Sequence, residues 1–203
     1  MTEAREAVLA NVRRALAAAD TSPVTVPRSY RDAGTPDPAA MLDLFVERVA
    51  DYRATVVRCA AGDVEARIAA ALPDGARVLV PDGLPWQVPG AVADSGPTGL
   101  SSAELDGLDA VVTAATVGIA TTGTIVLSHG PAEGRRAVSL VPDLHVCVVR
   151  ADQVVADVPE AVALLDPGRP TTWISGPSAT SDIELDRVEG VHGPRTLHVL
   201  VVS

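Results

Sequence analysis

The chain has 203 residues, of which 16 are arginine, none is lysine, 26 are acidic and only five are aromatic. This length suits one domain of ordinary size, or one domain with an additional arm. The net charge of −10 and the few aromatic side chains argue against a nucleic-acid-binding protein, which needs a basic surface and stacking rings. The absence of lysine excludes a Schiff-base lysine, a P-loop lysine and a Ser-Lys nucleophile pair.

Two helices and a proline-rich linker are predicted for residues 1–52. An apolar stripe at helical spacing predicts a helix over residues 2–19; it consists of Val8, Leu9, Val12 and Leu16. Residues 20–36 contain three prolines and few large apolar side chains, which indicates an extended linker or arm. A second helix is predicted to begin at Asp37, because this good N-cap precedes a proline.

From residue 53 onward, short β-branched runs alternate with helical or turn segments, which is typical of an α/β layer fold. Strands are predicted at residues 54–59, 77–80, 110–113, 118–120, 124–127, 145–150, 172–175 and 197–202. Helices are predicted at residues 63–72, after Ser101, at 151–165 and within 181–189. Residues 110–128 carry no charge, but their five threonines and two glycines favour buried strands over a membrane helix. Residues 53–203 are therefore predicted to form the α/β domain.

The cysteines, histidines and N-terminus give further expectations. Cys59 and Cys147 lie in apolar, β-branched stretches, so we predict that both are reduced core residues. Without a Cys-x-x-Cys pair, this chain alone is not predicted to hold an iron–sulfur cluster. The histidine spacing matches no metal-binding motif, and we predict no metal site. Charges in the first six residues, where a signal peptide would need its apolar region, predict a cytoplasmic protein.

Cations are scarce in the α/β body. Residues 61–203 hold 18 acidic residues and eight arginines, so an anionic ligand there needs local compensation. In an extended segment the adjacent Arg135 and Arg136 point to opposite sides, so that at most one faces a given site. We predict that Arg136 clamps an anionic group. His145 opens an apolar strand and is either a satisfied core histidine or a ligand-binding one.

A second candidate site is the turn at Thr122, Gly123 and Thr124, which separates two apolar runs. A glycine lets a ligand approach backbone amides closely, and the neighbouring hydroxyls add donors, so this turn is a candidate cradle for a carboxylate or phosphate. The alternative is a plain hairpin turn, because threonine is also a good strand residue.

A third candidate segment is a predicted strand that ends at Gly176 and leads through Ser178 and Thr180 into a helix. The carboxyl end of a strand followed by a helix N-terminus is where open α/β sheets place anionic ligands. The alternative is that the hydroxyls only cap the helix. Asp182 and Glu184 are acid–base candidates, with a solvated helix face or a divalent-cation site as alternatives.

The last candidate segment is the loop that carries His192 and Arg195 before the final strand. His192 has little to pack against there, so it is the best acid–base candidate of the four histidines. Arg195 adds a cation to the same loop and is predicted to bind the ligand. His198 alternates with apolar residues, which predicts a core position, and His129 lies in a polar turn.

Four motifs follow one another over about residues 105–202: Gly118-Ile119-Ala120-x-Thr122-Gly123-Thr124; Arg136 with Ser139-Leu140-Val141-Pro142-x-x-His145; Gly176-Pro177-Ser178-x-Thr180-x-Asp182-Ile183-Glu184; and Gly190-Val191-His192-Gly193-Pro194-Arg195. Together they resemble the LUD-domain family, of the lactate utilisation protein C (YkgG) type. Members of that family usually carry an acid before Thr-Gly-Thr, whereas this chain has Thr121, so a carboxylate at that position is absent.

The resemblance implies a three-layer, Rossmann-like α/β sheet of the ribose-phosphate isomerase and CoA-transferase-like superfamily, here with an N-terminal helical arm. It also implies a component of L-lactate oxidation to pyruvate that acts with iron–sulfur partner subunits and binds a small anionic ligand. It defines neither a cofactor nor a reaction of the chain itself, so whether the chain is an enzyme stays open.

Three hypotheses about function remain. The favoured one is a subunit or accessory of a lactate-oxidising complex. The second is a stand-alone transferase or ATP-dependent ligase of the same superfamily, with His192 and Asp182 or Glu184 as acid and base. The third is a non-catalytic assembly module whose N-terminal helices pack on another chain. Neither a nucleic-acid partner nor a membrane span is expected, and an oligomer stays open.

Overall fold

The computed structural model describes residues 2–20, 22–29, 37–95, 99–176 and 193–203. Its helices are α1 (Thr2–Leu16), α2 (Pro38–Asp51), α3 (Val64–Ala71), α4 (Ser102–Asp106) and α5 (Val158–Leu164). Its strands are β1 (Thr55–Cys59), β2 (Val78–Pro81), β3 (Val92–Asp94), β4 (Ala110–Ala114), β5 (Val117–Ile119), β6 (Thr124–Leu127), β7 (Leu144–Arg150), β8 (Val154–Val155), β9 (Thr172–Ile174) and β10 (Thr196–Val202). The chain forms two compact units, Met1–Asp32 and Ala33–Ser203.

The first unit contains α1 and the segment that follows it. Acidic Glu3 in the first turn and Arg13 and Arg14 in the last turn complement the helix dipole. The helix ends at Leu16 rather than at the predicted residue 19, because the Ala19 N–H bonds to the Leu16 carbonyl in a tighter i→i+3 turn. Residues 22–29 have no regular secondary structure.

The second unit is built around a six-stranded parallel sheet with the strand order β1-β10-β7-β4-β2-β3. Thr113 of β4 lies opposite Cys147 of β7, which lies opposite Val199 of β10. These strands are apolar on both faces, as expected where a parallel sheet is covered from both sides. The predicted α/β class with a mostly parallel sheet is therefore confirmed.

Different elements cover the two faces of the parallel sheet. On one face, Val64 and Ile68 of α3 pack against a cluster that includes Val146 and Leu200. On the other face, α2 and a second sheet supply a cluster with Cys147 that includes the fully buried Phe45. Helix α2, which belongs to the predicted N-terminal segment by sequence, thus contributes to the core of the α/β unit.

The second sheet has four strands in the order β8-β5-β6-β9. Strands β5 and β6 form an antiparallel hairpin, and β9 adds to β6 in the antiparallel direction. On its outer face, Ala161 of α5 packs against Val117, Ile119 and Val126. None of the helices in the described ranges has the length and apolar character that a membrane crossing needs.

Local sequence signals explain why one predicted helix is confirmed and why another prediction is wrong. Asp37 caps α2 by accepting hydrogen bonds from the N–H groups of Ala39 and Ala40, as predicted. The single helix predicted over residues 151–165 is wrong. The chain forms a 3₁₀ turn at Ala151–Gln153, then the short strand β8, then α5. β-Branched Val154 and Val155 pair with β5, and Asp157 starts a new helix through a capping box.

Candidate functional site

The order in which the chain adds strands to the sheet changes direction at β2. The strand after β2, β3, lies on one side of it, and the next strand of this sheet, β4, lies on the other side. In open α/β sheets the crevice outside the carboxyl ends of strands at such a switch point is the usual ligand site. A cavity of about 580 Å³ lies here. Its lining consists of Pro81, Asp82, Asp94, Gly99, His129, Gly130, Pro131, Gly134, Arg135, Arg136, Arg169 and Pro170.

One wall of the cavity is a fixed ion pair. Arg135 donates through Nε and Nη2 to the two carboxylate oxygens of Asp94, at 2.8 and 3.0 Å, and it also donates to the Leu100 carbonyl. Desolvation by burial raises the pKa of Asp94, but the bonds from Arg135 and from the Leu100 N–H outweigh it and hold this pKa below its ordinary value. The same pair raises the pKa of Arg135. Both charges are therefore committed to each other.

Among the described residues, the other two arginines of the cavity have no acidic partner. In the ranges that the structure describes, Arg136 has neither an ion pair nor a side-chain hydrogen bond, while Arg169 donates only to the His129 carbonyl, at 3.0 Å. The expectation that at most one of Arg135 and Arg136 faces a given site is wrong, because both line this cavity. The segment is not extended there, since a 3₁₀ turn begins at Arg136.

The loop between β6 and Arg135 is held by a buried carboxylate. Glu133 is 6% exposed and accepts hydrogen bonds from the Thr116 hydroxyl at 2.6 Å and from the N–H groups of Ser128 and Gly130 at 2.6 and 3.2 Å. The backbone of His129 is left-handed, with φ +56°, a conformation uncommon for a residue with a side chain. Such strain persists only where surrounding contacts enforce it.

His129 connects this loop to the second sheet. Its Nδ1 lies 3.0 Å from the Gly134 carbonyl, and its Nε2 lies 3.0 Å from the Thr172 hydroxyl of β9. Because a carbonyl only accepts, Nδ1 carries a proton in this arrangement. His129 thereby fixes the loop on which two cavity arginines depend: Arg135 follows it in the chain, and Arg169 bonds to its carbonyl.

The predicted turn at Thr122, Gly123 and Thr124 connects β5 and β6 as a hairpin. Its hydroxyls bond to one another: Thr122 donates to Thr124 at 2.8 Å, and Thr124 lies 2.8 Å from the Ser175 hydroxyl. Gly123 has φ +60°, and a Cβ there would lie 2.6 Å from the backbone of Arg48 in α2. The close approach that this glycine permits is thus made by α2. Ligand binding by the three residues stays a prediction.

Gly123→Ala is expected to lower the free energy of unfolding by about 2 kcal/mol, because the alanine meets both a left-handed backbone and the Arg48 backbone. Two matched controls separate these causes. Gly75 also has a positive φ but no atom within 4 Å of a Cβ, and Gly62 has neither constraint. In urea unfolding, Gly75→Ala should show only the conformational cost and Gly62→Ala almost none. Equal losses in all three variants would contradict the packing argument.

The predicted site around Gly176 differs from the expected geometry. Strand β9, which precedes Gly176, is antiparallel to β6 in the second sheet, so the argument from the carboxyl edge of an open parallel sheet does not apply there. A Cβ on Gly176 would lie 2.8 Å from the Cβ of Tyr52, so this glycine also permits close packing at the end of α2. Its ligand-binding role stays a prediction. The predicted residues Ser178, Thr180, Asp182, Glu184 and His192 lie outside the described residues.

The structure separates the remaining predicted residues from the cavity. His145 of β7 is 1% exposed, and its Nε2 lies 2.8 Å from the Thr113 hydroxyl. Burial lowers the pKa of His145 to about 4. Arg195 is exposed before the amino end of β10, where its Nε lies 3.6 Å from Asp143. Of the described residues predicted to bind ligand, only Arg136 lines the cavity.

The two cysteines are buried free thiols on opposite faces of the parallel sheet, which confirms their predicted reduced core positions. Burial raises the pKa of Cys147 to about 12. In the described part of the chain, no group of three or more His, Cys, Asp or Glu side chains is placed to hold a metal ion.

Five polar residues of the cavity were not predicted to bind ligand: Asp82, Asp94, His129, Arg135 and Arg169. Asp82 directly follows β2, and Asp94 is the last residue of β3. These positions could have marked both residues once the strand order was known. No local motif marks Arg169, because its distance along the chain from the other cavity residues hides their proximity.

A parallel α/β sheet with a polar cavity at its switch point defines a large structural class, and the sequence comparisons define the family within it. Residues 99–202 match the model of the LUD domain, and the chain belongs to this family. The resemblance seen in the four motifs is thereby confirmed.

Individual relatives agree with this assignment. The chain is similar to lactate utilization protein C from Deinococcus radiodurans, with 46% identity over 99% of this chain and 96% of the relative. It is also similar to lactate utilization protein C from Bacillus subtilis, with 30% identity over 55% of this chain and about half (48%) of that protein. A crystal structure of a DUF162 family protein from Deinococcus radiodurans has a TM-score of 0.72 and 42% identity, over 83% of this chain and 100% of that one.

Proposed function

We propose that this protein acts in lactate utilisation, as a component of the oxidation of L-lactate to pyruvate. The observation that carries the proposal is the similarity to the Deinococcus radiodurans lactate utilization protein C, which extends over 96% of that protein at 46% identity. The similarity therefore extends over nearly the whole length of both proteins and not over a single shared domain. The same proposal places the protein in the cytoplasm.

The proposal assigns electron transfer to iron–sulfur partner subunits. Oxidation of lactate removes two electrons and two protons from the carbon and oxygen of its hydroxyl group, so an electron acceptor is required. Cys59 and Cys147 are buried on opposite sheet faces and cannot serve one cluster together. Clusters held by partner subunits satisfy the electron balance of the reaction.

The proposal also assigns an anionic ligand to the switch-point cavity. Arg136 and Arg169 have no acidic partner in the described ranges, within a protein whose net charge is −10. Unpaired cations in such an acidic chain attract anions from solution and hold them by charge-assisted hydrogen bonds. The predicted clamp residue Arg136 thus has a suitable position for this role.

Deletion of the gene should prevent growth of the host on L-lactate as sole carbon source, while growth on glucose continues. A plasmid copy of the wild-type gene should restore growth on L-lactate, and Arg136→Ala should restore it poorly at equal protein level. Arg77→Ala is the matched control, because Arg77 is an exposed arginine paired with Asp109 outside the cavity. Normal growth on L-lactate after deletion would contradict the proposal, and turnover by the isolated chain would favour a stand-alone enzyme.

A further inference from the structure

The cavity is several times larger than a lactate molecule. Lactate occupies roughly 100 Å³, the volume of a few water molecules, whereas the cavity measures about 580 Å³. Cavities of several hundred cubic ångströms are typical for ligands of cofactor or drug size. Lactate alone would leave most of this volume filled with water and most of the polar lining without contact.

The charges of the lining indicate which chemical groups a larger ligand carries. With Arg135 and Asp94 paired to each other, two cations remain, Arg136 and Arg169. Their planar guanidinium groups present several N–H donors, a geometry that matches phosphate oxygens. Two such groups beside one cavity suit a phosphate or diphosphate better than a single carboxylate.

Asp82 adds a negatively charged hydrogen-bond acceptor to the lining of the cavity. It directly follows β2 at the same cavity, is exposed, and has no ion pair or side-chain hydrogen bond among the described residues. A carboxylate repels phosphate but accepts hydrogen bonds from hydroxyl groups, and an acidic residue after a strand is a known way to bind the hydroxyls of a ribose. The lining therefore combines donors for phosphate with an acceptor for sugar hydroxyls.

We infer that the switch-point cavity binds a nucleotide-like phosphate ester, with Arg136 and Arg169 on the phosphate groups and Asp82 on the sugar hydroxyls. The inference rests on the proposed function only in placing an anionic ligand in this cavity. No covalent step is involved.

Isothermal titration calorimetry on the purified full chain tests this inference with three probes: ADP, pyrophosphate and L-lactate. We expect ADP to bind roughly tenfold more tightly than pyrophosphate, because only ADP carries sugar hydroxyls, and lactate to bind most weakly. Arg136→Ala should weaken both ADP and pyrophosphate by about tenfold, since it removes a charge-assisted contact to phosphate. Arg77→Ala should change neither affinity.

Asp82→Asn separates the sugar contact from the phosphate contact. It should weaken ADP severalfold, and it should leave pyrophosphate unchanged or slightly tighter because a repulsive charge is removed. Asp82 and Arg136 are exposed, so both variants should unfold at the wild-type temperature without ligand. Absence of ADP binding, lactate binding as tight as ADP, or equal effects of Arg136→Ala and Arg77→Ala would overturn the inference. Growth on lactate tests the proposed function separately, because that phenotype does not depend on which of these probes binds.

Discussion

Glu133→Ala should lower the free energy of unfolding by about 4 kcal/mol, the largest loss that we expect from a single polar substitution in this chain. The Glu133 carboxylate accepts from one hydroxyl and two backbone N–H groups while only 6% exposed. Its removal leaves the Gly130 N–H and the Thr116 hydroxyl without this acceptor, while the Ser128 N–H keeps only the Thr116 oxygen, at 3.1 Å. Each buried donor left unsatisfied costs about 1–3 kcal/mol. Urea unfolding at neutral pH gives the measurement.

Glu133→Gln should cost much less than Glu133→Ala. The amide oxygen of glutamine accepts from the same two N–H groups, and its NH₂ group faces a Thr116 hydroxyl that is able to accept. Glu104→Ala is the matched control, since Glu104 also accepts from a backbone N–H and a hydroxyl, those of Ser101, but at an exposed position. Equal losses for Glu133→Ala and Glu104→Ala would contradict a role for burial.

The Glu133 substitutions also connect stability to the site. Glu133 holds the turn that places His129, and His129 in turn bonds to Gly134 and Thr172 and accepts from Arg169. Loosening this turn should therefore weaken ADP binding in the cavity even though Glu133 is not part of its lining. Binding that survives Glu133→Ala unchanged would show that the cavity arginines do not depend on the turn.

The strands with long β-branched runs were predictable, because period and composition are local properties. The predicted strand at residues 145–150 agrees with β7 within one residue, and that at 197–202 agrees with β10 equally well. Strands β3 and β8 were missed, because β3 contains a single β-branched residue and β8 is only two residues within a stretch predicted to be helical. The structure of β8 follows from its pairing with β5, a contact that no local pattern encodes.

The candidate site was only partly predictable, for a related reason. Arg136 was noted because cations are scarce in residues 61–203, which is a property of the sequence alone. Three further lining residues lie close to Arg136 only because β2, β3 and the loop after α5 end at one place: Asp82, Asp94 and Arg169. That meeting depends on strand order, which motifs and spacing do not specify.

Gly123 was interpreted from sequence as a point where a ligand approaches the backbone, with a plain hairpin turn as the alternative. At Gly123 and Gly176 the neighbouring atoms belong to Arg48 and Tyr52 of the α2 region. The physical requirement, a position with no room for a side chain, was recognised correctly at Gly123, whereas the neighbouring group was not. A single sequence does not distinguish a ligand from a packed helix at such a position, because both select glycine for the same steric reason.

His145 should make the protein lose stability as the pH falls from 6.5 toward 4. Burial lowers the pKa of His145 from 6.5 to about 4, so in this window the unfolded chain binds a proton that the folded chain does not. Proton uptake by the unfolded state favours unfolding, so the contribution of His145 is complete above pH 6.5 and declines below it. Between pH 7 and pH 5 we expect a loss of about 2 kcal/mol from this residue.

His145→Gln should reduce this pH dependence, because glutamine does not titrate but still offers a partner to the Thr113 hydroxyl 2.8 Å from the histidine ring. The measurement is the free energy of unfolding in urea at several pH values between 7 and 5, for wild type and variant. His198→Gln is the matched control: partial burial also lowers the pKa of His198, but its side chain is only half-buried, so the slope should change less. If His145→Gln keeps the wild-type slope, His145 is not the neutral buried base that its surroundings indicate, and another group must account for the pH dependence.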